Sequence, residues 1–201
     1  MFTGIVEEVG SVVEFNERSG VLTLEAPATA SELRIGSSVA VSGVCLTVTG
    51  REGTRFTVDL STETLERTTL GQLSSGSRVN LELPVRLQSR LDGHFVQGHV
   101  DGRGRVVSVT ERPGDRVLRF EHPTHCDGYL VEKGSIAIDG VSLTVTACGA
   151  GWFEVMLIPH TLRVTTLGER AEGDGVNLEY DILAKYLIRL IQSRRIPWIQ
   201  N

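Results

Sequence analysis

Gly43-Val44-Cys45-Leu46-Thr47-Val48-Thr49 and Gly140-Val141-Ser142-Leu143-Thr144-Val145-Thr146 differ only at their third residue and lie 97 positions apart. The same offset carries Thr64-Leu65 onto Thr161-Leu162 and Thr68-Thr69-Leu70-Gly71 onto Thr165-Thr166-Leu167-Gly168. It also carries Val79-Asn80-Leu81-Glu82 onto Val176-Asn177-Leu178-Glu179, and residues 43–82 match at 20 of 40 positions without a gap. Upstream, an offset of 94 sets Gly4-Ile5-Val6 against Gly98-His99-Val100 and Val12-Val13 against Val106-Val107. Four blocks in order exclude coincidence, and this period is that of a small domain rather than a solenoid unit. The chain reads as one fold twice, joined in the polar stretch 87–93. The drift in offset places a small net insertion in a loop of the second copy.

Each copy consists of short runs rich in Val, Thr, Ile and Leu, such as residues 10–15, 21–24, 38–41, 45–48 and 55–60. Several alternate apolar with polar, and Gly, Asn or Pro interrupts them at short intervals. This pattern predicts an all-β protein. About six antiparallel strands per copy would close a small barrel and leave no exposed edge. Short helical turns are predicted at 27–33, after Ser61 or Thr62 as a cap, and at Pro159. The segment after Asp181 has no counterpart in the first copy. Leu183, Leu187, Leu190 and Ile191, with Tyr186 alongside, form a helical stripe, with Asp181 as N-cap, Arg194-Arg195 in the last turn and Pro197 as the stop. The stripe has two candidate homes, its own barrel or a seam between subunits. The expected units are 1–93, 94–181 and a helical tail over 182–201.

Composition narrows the function. Hydrophobic residues make up 40% and charged residues 22% of 201, enough to build a core. A net charge of −5 argues against a general nucleic-acid binder. No apolar run reaches the roughly 18 residues of a membrane span, and the N-terminus lacks a secretory pattern, so a cytoplasmic protein is expected. Three cysteines without a C-x-x-C pair make neither a disulfide framework nor a structural zinc site. His94 and His99, or His122 and His125, lack an acidic constellation that would complete a metal site. No phosphate loop, dinucleotide fingerprint or nucleophile elbow is present.

Chemistry is therefore sought where the copies differ. Cys45 stands where the second copy has Ser142. Asp59-Leu60-Ser61-Thr62-Glu63-Thr64 stands where it has Met156-Leu157-Ile158-Pro159-His160-Thr161. Shared residues serve the common fold, while divergent ones allow two related barrels to bind one kind of ligand and treat it differently. On the residues alone, Cys45, Ser142, Thr144 and His99 read equally well as ordinary strand or surface positions.

The chain resembles the riboflavin synthase alpha-chain family along essentially its whole length. The resemblance is carried by Met1-Phe2-Thr3-Gly4-Ile5-Val6, Val44-Cys45-Leu46-Thr47-Val48, and Glu63-Thr64-Leu65 with Thr68-Thr69-Leu70-Gly71. Further motifs are Gly93-His94-Phe95-Val96-Gln97-Gly98-His99-Val100-Asp101-Gly102, residues 133–145, and Ile158-Pro159-His160-Thr161-Leu162. The chain departs from the family pattern at Asp92, where a second glycine often precedes the Gly-His pair.

The resemblance implies two homologous six-stranded antiparallel β-barrels plus a C-terminal α-helix, in a homotrimer, without metal or redox cofactor. The implied reaction is a dismutation of two 6,7-dimethyl-8-ribityllumazine molecules, one giving a four-carbon unit to the other. Its products are riboflavin and 5-amino-6-ribitylaminouracil. The site would lie between the first barrel of one subunit and the second barrel of a neighbour, and an association with lumazine synthase is also expected. Carried over by motif, the first pocket would use Gly4, Ile5, Val6, Cys45, Leu46 and Thr47, then Asp59, Leu60, Ser61, Thr62, Glu63 and Thr64. The second would use Gly98, His99, Val100, Lys133, Ser142, Leu143 and Thr144, then Leu157, Ile158, Pro159, His160, Thr161 and Leu162. Ser142, Thr144 and Asp181 are the expected surroundings of a C7-methyl deprotonation, Cys45 the expected nucleophile, and His99 an acid-base group.

Three rivals remain on the sequence. A relative that binds lumazine or flavin without turnover would typically keep only one intact pocket, whereas both copies retain their motifs here. A flavin-binding reductase barrel calls for a nicotinamide-binding domain that does not follow. A ligand-free interaction barrel leaves the copy differences unexplained.

Overall fold

The computed structural model describes residues 1–193. In the first copy, strands β1 (Glu8–Asn16), β2 (Val21–Glu25), β3 (Ser38–Val41), β4 (Val44–Glu52), β5 (Arg55–Asp59) and β6 (Arg78–Glu82) close into an antiparallel barrel in the order β1-β2-β5-β4-β3-β6. In the second, β7 (Gly102–Arg112), β8 (Asp115–Glu121), β9 (Ser135–Ile138), β10 (Val141–Gly149), β11 (Trp152–Leu157) and β12 (Gly175–Tyr180) repeat that cyclic order. Alternation explains the closure. On β4, Val44, Leu46 and Val48 point into the barrel, while Cys45 is half-buried and Thr47 and Thr49 are exposed. Phe56, Val58, Leu22 and Leu24 complete the first core; Phe120, Phe153, Val155 and Ile136 anchor the second.

Helix α1 (Pro27–Glu32) begins on its proline. Ser61 caps α2 (Thr62–Arg67), its side chain accepting from the Thr64 N–H, and Pro159 opens α3 (Pro159–Val164). The extra residues of the second copy are not confined to a loop. The β7-β8 hairpin is two residues longer than β1-β2 between equivalent paired positions, Arg105↔Glu121 against Ser11↔Glu25. Both hairpins keep the same bulge, at Val12/Glu14 and Val106/Ser108, so the added length goes to the tip.

The barrels meet across an internal pseudo-twofold axis. The turns joining β3 to β4 and β9 to β10 are two-residue loops, Ser42-Gly43 and Asp139-Gly140, with all four residues at positive φ. A Cβ on Gly43 would lie 2.7 Å from the Gly140 nitrogen, and one on Gly140 would lie 2.8 Å from that of Gly43. The glycine that begins each repeated heptapeptide is therefore the point where the two copies touch.

Buried Asn80 and Asn177 lock this contact. Asn177 Nδ2 donates to the Ser42 carbonyl at 2.8 Å, and its Oδ1 accepts from the Thr69 N–H at 2.7 Å. Asn80 does the same in reverse, donating to the Asp139 carbonyl at 2.9 Å and accepting from the Thr166 N–H at 2.8 Å. The symmetry is broken once. Asp139 is fully buried, accepts from the Asn177 N–H and pairs with Arg170 at 2.7 Å, where the first copy has Ser42 and Leu73. Burial pushes the Asp139 carboxyl up, opposed by the Arg170 charge and these hydrogen bonds.

Helix α4 (Ile182–Gln192) starts at Asp181, whose side chain accepts from the Leu183 N–H at 2.9 Å. Lys185 pairs with Asp101 at 2.6 Å, and Ile188 sits over Gly128. The opposite face is bare: Tyr186 is 65% and Ile191 68% exposed, with Leu183, Leu187 and Leu190 beside them. The basic pair at 194–195 and Pro197 lie outside the described residues. No helix among the described residues is long and apolar enough to cross a membrane.

Truncating either asparagine strands a buried N–H and a buried C=O. Asn177→Ala or Asn80→Ala is expected to lower unfolding free energy by about 2–4 kcal/mol. Urea denaturation followed by tryptophan fluorescence checks this, and a loss below about 1 kcal/mol would show that the cross-link is dispensable.

Candidate functional site

The N-terminal segment and its counterpart at 96–100 cross between the barrels. Phe2 and Val96, equivalent under the 94-residue offset, pair with each other as an antiparallel bridge on the pseudo-twofold axis. From there each segment runs onto the other copy. The Gly4 carbonyl accepts from the Ser142 N–H at 2.7 Å, and the Gly98 carbonyl accepts from the Cys45 N–H at 2.8 Å. Val6 packs against the second core and Val100 against the first. This corrects the expected grouping: Gly4, Ile5 and Val6 belong with Ser142, and Gly98, His99 and Val100 belong with Cys45. The reason is steric. Gly4 and Gly98 sit at φ +79, and a Cβ on either would lie within 2.6 Å of the Ser142 or 2.5 Å of the Cys45 Cβ, so only glycine lets the crossing strand approach.

Around Cys45 this crossing encloses an open cavity of about 340 Å³, lined by Val44, Cys45, Ser61, Glu63, Thr64, Arg67, Thr68, Gly98, His99 and Val100. That is at the small end of the range for pockets that hold organic ligands. Ser61, Thr64 and Thr68 offer hydroxyls, and Arg67 pairs with Glu63 at 3.1 Å on the rim. Of the other residues expected here, Leu46 and Leu60 are core side chains. Thr47, Asp59 and Thr62 are exposed outside the cavity lining.

The equivalent face of the second barrel is built around Ser142. Its crossing segment supplies Gly4 and the exposed Ile5, and α3 supplies His160 and Thr161, preceded by the exposed Ile158. Ser142 and Thr144 share one side of β10, while Leu143 packs against the core with Leu162. Leu157 is fully buried. Lys133 is exposed and stands in a turn at φ +66, where its N–H donates to the Val145 carbonyl at 2.8 Å, one residue beyond Thr144. None of Ser142, Thr144 or Asp181 lines the Cys45 cavity.

A residue given no site role in the sequence reading completes the Ser142 face. His94 Nδ1 lies 2.7 Å from Ser142 Oγ, and its ring is buried with Nε2 unpartnered among the described residues. Burial holds the imidazole below its ordinary value, with the nearby Asp181 charge opposing that shift. His94 is held by its own N–H donating to the Thr3 carbonyl at 3.1 Å. The preceding Gly93 admits no Cβ against Thr3, whereas Asp92 is exposed, so the departure from the family pattern falls where a side chain fits. His94 precedes the residue equivalent to Met1, so it has no partner in the first copy and the repeat could not flag it. A neutral imidazole beside a serine hydroxyl and within the field of an aspartate is suited to taking and passing a proton. The Cys45 cavity instead offers a polarisable thiol and an exposed histidine.

Comparison with known proteins gives a consistent result. A family model described as "Lumazine binding domain" matches residues 3–84 and again 97–181. Riboflavin synthase of Mycobacterium bovis is 50% identical over 200 residues, covering 96% of this chain and 99% of that protein. Riboflavin synthase of Actinobacillus pleuropneumoniae is 43% identical over 196 residues, covering 96% and 91%. Among solved structures, LumP complexed with 6,7-dimethyl-8-(1'-D-ribityl) lumazine superposes with a TM-score of 0.80 at 25% identity, covering 89% of this chain and 98% of that one.

The lowered His94 value has a measurable sign. Below the ordinary imidazole value of 6.5 the unfolded chain takes up a proton that folded His94 refuses, so stability falls as pH drops through that point. Thermal unfolding between about pH 7.5 and 5.5 should therefore show a shallower acid slope for His94→Gln than for the parent protein. Identical slopes would mean that His94 titrates as it does in the unfolded chain.

Proposed function

The chain belongs to the riboflavin synthase family, built from two lumazine-binding domains, and from that premise we infer that it dismutates two molecules of 6,7-dimethyl-8-ribityllumazine to riboflavin and 5-amino-6-ribitylaminouracil. The observation that carries this reading is the 50% identity to a riboflavin synthase over nearly the full length of both chains. The reaction moves four carbons between identical molecules and balances without an external oxidant or reductant. It asks for two binding sites of one ancestry and different chemistry, and Cys45 and Ser142 mark two such faces.

In this reading one lumazine occupies the Cys45 cavity and the other the Ser142 face. Holding the two rings in register removes translational and rotational freedom, a contribution of up to about 7–11 kcal/mol in favourable cases. At the Ser142 face, Nδ1 of neutral His94 accepts the Ser142 hydroxyl proton, which readies that oxygen to receive a proton from the C7 methyl group. Asp181 stabilises the imidazolium that forms, and Thr144 adds a hydroxyl on the same side of β10. At the other face the Cys45 thiol, or a water it orders, adds to C7 of the acceptor lumazine. His99 exchanges protons there. The ribityl hydroxyls find partners in Ser61, Thr64 and Thr68 on one face and His160 and Thr161 on the other.

Ser142, Thr144 and Asp181 do not line the Cys45 cavity, and in this reading the complete site pairs the first barrel of one subunit with the second barrel of another. The bare stripe of α4 supports a homotrimer in which these helices associate, since an apolar face of this size is otherwise left in water. The reading places the protein in the cytoplasm, with lumazine synthase, which makes the substrate, as an expected associate.

Incubation with the lumazine alone should generate riboflavin absorbance, and binding without product would leave a carrier protein instead. Cys45→Ala, His99→Ala and Asp181→Ala should each slow single-turnover formation, His99→Ala by roughly 100-fold as expected for loss of one proton-transfer group. Full rate in all three would remove these assignments. Leu187→Glu should convert the trimer to smaller species in light scattering and lower turnover in parallel, while leaving the far-ultraviolet spectrum of the barrels unchanged.

A further inference from the structure

Two buried carboxylates hold the crossing segments, and they hold them from the wrong side. Glu82 ends β6 of the first barrel, yet the segment it grips lines the face of the second. Its Oε1 accepts from the Thr3 N–H at 2.6 Å and from the Thr3 hydroxyl at 2.8 Å, and its Oε2 accepts from the Gly4 N–H at 3.0 Å. Glu179, 97 residues on, lies on β12 of the second barrel. Its Oε1 accepts from the Gln97 N–H at 2.6 Å and its Oε2 from the Gly98 N–H at 2.9 Å. Both side chains are buried, at 5% and 3% exposure. Among the described residues neither carboxylate bonds to its own barrel, for each spends its oxygens on the crossing segment.

The connection continues through a single glycine residue. The Gly4 N–H is held by Glu82 while the Gly4 carbonyl accepts from the Ser142 N–H. The Gly98 N–H is held by Glu179 while the Gly98 carbonyl accepts from the Cys45 N–H. A carboxylate on one barrel is thus one residue away from the reacting face of the other, and the relay is reciprocal. We propose that Glu82 and Glu179 are positioning residues, Glu82 setting the wall of the Ser142 face and Glu179 setting the wall of the Cys45 cavity.

Burying a carboxylate is costly unless its oxygens are filled, and each of these accepts charge-assisted bonds from two successive backbone N–H groups. Burial raises both groups while those N–H donors oppose the rise. Glu7 faces Glu82 and adds to the rise; Lys185 opposes it at Glu179 and Asp101 adds to it. Glutamine at either site would turn an amide N–H₂ toward a backbone N–H, losing one bond and creating a donor–donor conflict. The segment would then lift from the neighbouring barrel, and the barrel carrying the substitution would keep its own core.

Cysteine labelling reads the two walls separately and needs no ligand. The Gly98 backbone lies against the Cys45 Cβ and backbone and forms one wall of its cavity, so Glu179→Gln should raise the rate of Cys45 alkylation by iodoacetamide by roughly tenfold or more, as loss of charge-assisted bonds predicts. Glu82→Gln should leave it unchanged. Peptide mapping distinguishes Cys45 from Cys126 and Cys148. In a Cys45→Ser, Ser142→Cys background the dependence should reverse, with Glu82→Gln accelerating labelling at 142 and Glu179→Gln having no effect. Equal responses to both substitutions, or no response to either, would overturn the proposal. If a glutamine variant does not fold, Glu82→Asp and Glu179→Asp withdraw the carboxylate by one methylene and carry the same comparison. The kinetic consequence rests on the substrate reading above: either glutamine variant should lower riboflavin formation. Crossed labelling with unimpaired turnover would retain the positioning role and reject that reading of the faces.

Discussion

Two glycines facing each other across the internal axis set the terms for the rest of the molecule. The Gly43 and Gly140 backbones approach so closely that a methyl group on either would meet the other's nitrogen. At that spacing no water remains to satisfy the surrounding peptide groups, so side chains must do it. Asn80 and Asn177 reach across and fill the carbonyls and N–H groups of the opposite barrel. Once the barrels are locked this way, Phe2 and Val96 can pair on the same axis, and the crossing segments are delivered to the faces where chemistry is proposed.

Duplication separates scaffold from specialisation along the strands. Residues that recur at the 97-residue offset, such as Asn80 with Asn177 and Glu82 with Glu179, make equivalent contacts to the backbone in mirrored order. Among the residues that differ, four pairs lie at the two proposed faces or on the axis: Cys45 and Ser142, Glu63 and His160, Arg67 and Val164, Ser42 and Asp139. The first face is polar and charged at its rim, the second more apolar with Ile5, Ile158 and Val164. On the proposed assignment of the two faces, identical substrates would meet unlike surroundings, as a reaction between two equal molecules requires.

Much of this was legible in the chain itself because barrel strands alternate and duplicated blocks align without gaps. The heptapeptides at 43 and 140, the Ser61 cap, the opening Pro159 and the Asp181 cap each act through neighbours a few residues away, so local chemistry predicts them. The crossing of residues 4–6 and 98–100 was not legible. An alignment pairs equivalent segments but does not say which barrel each packs on, and that choice depends on contacts far apart in the chain, 138 residues for Gly4 with Ser142 and 53 for Gly98 with Cys45. His94 was hidden for a related reason, since it has no counterpart to differ from. Leu46 and Leu60 sit inside motifs but face the core, where the strand's pleat rather than the motif decides their role.

Asp139 and Arg170 give the axis a direction that the glycines and asparagines do not. Across it, Asp139 looks toward the small, neutral Ser42 turn of the first barrel. Two second-copy barrels from different chains could in principle present the same glycine and asparagine to one another. Such a pair would bring two buried aspartate turns face to face, each with its own guanidinium, in a space too tight for solvent. An encounter of that kind would carry two buried charge pairs where the contact within one chain carries one.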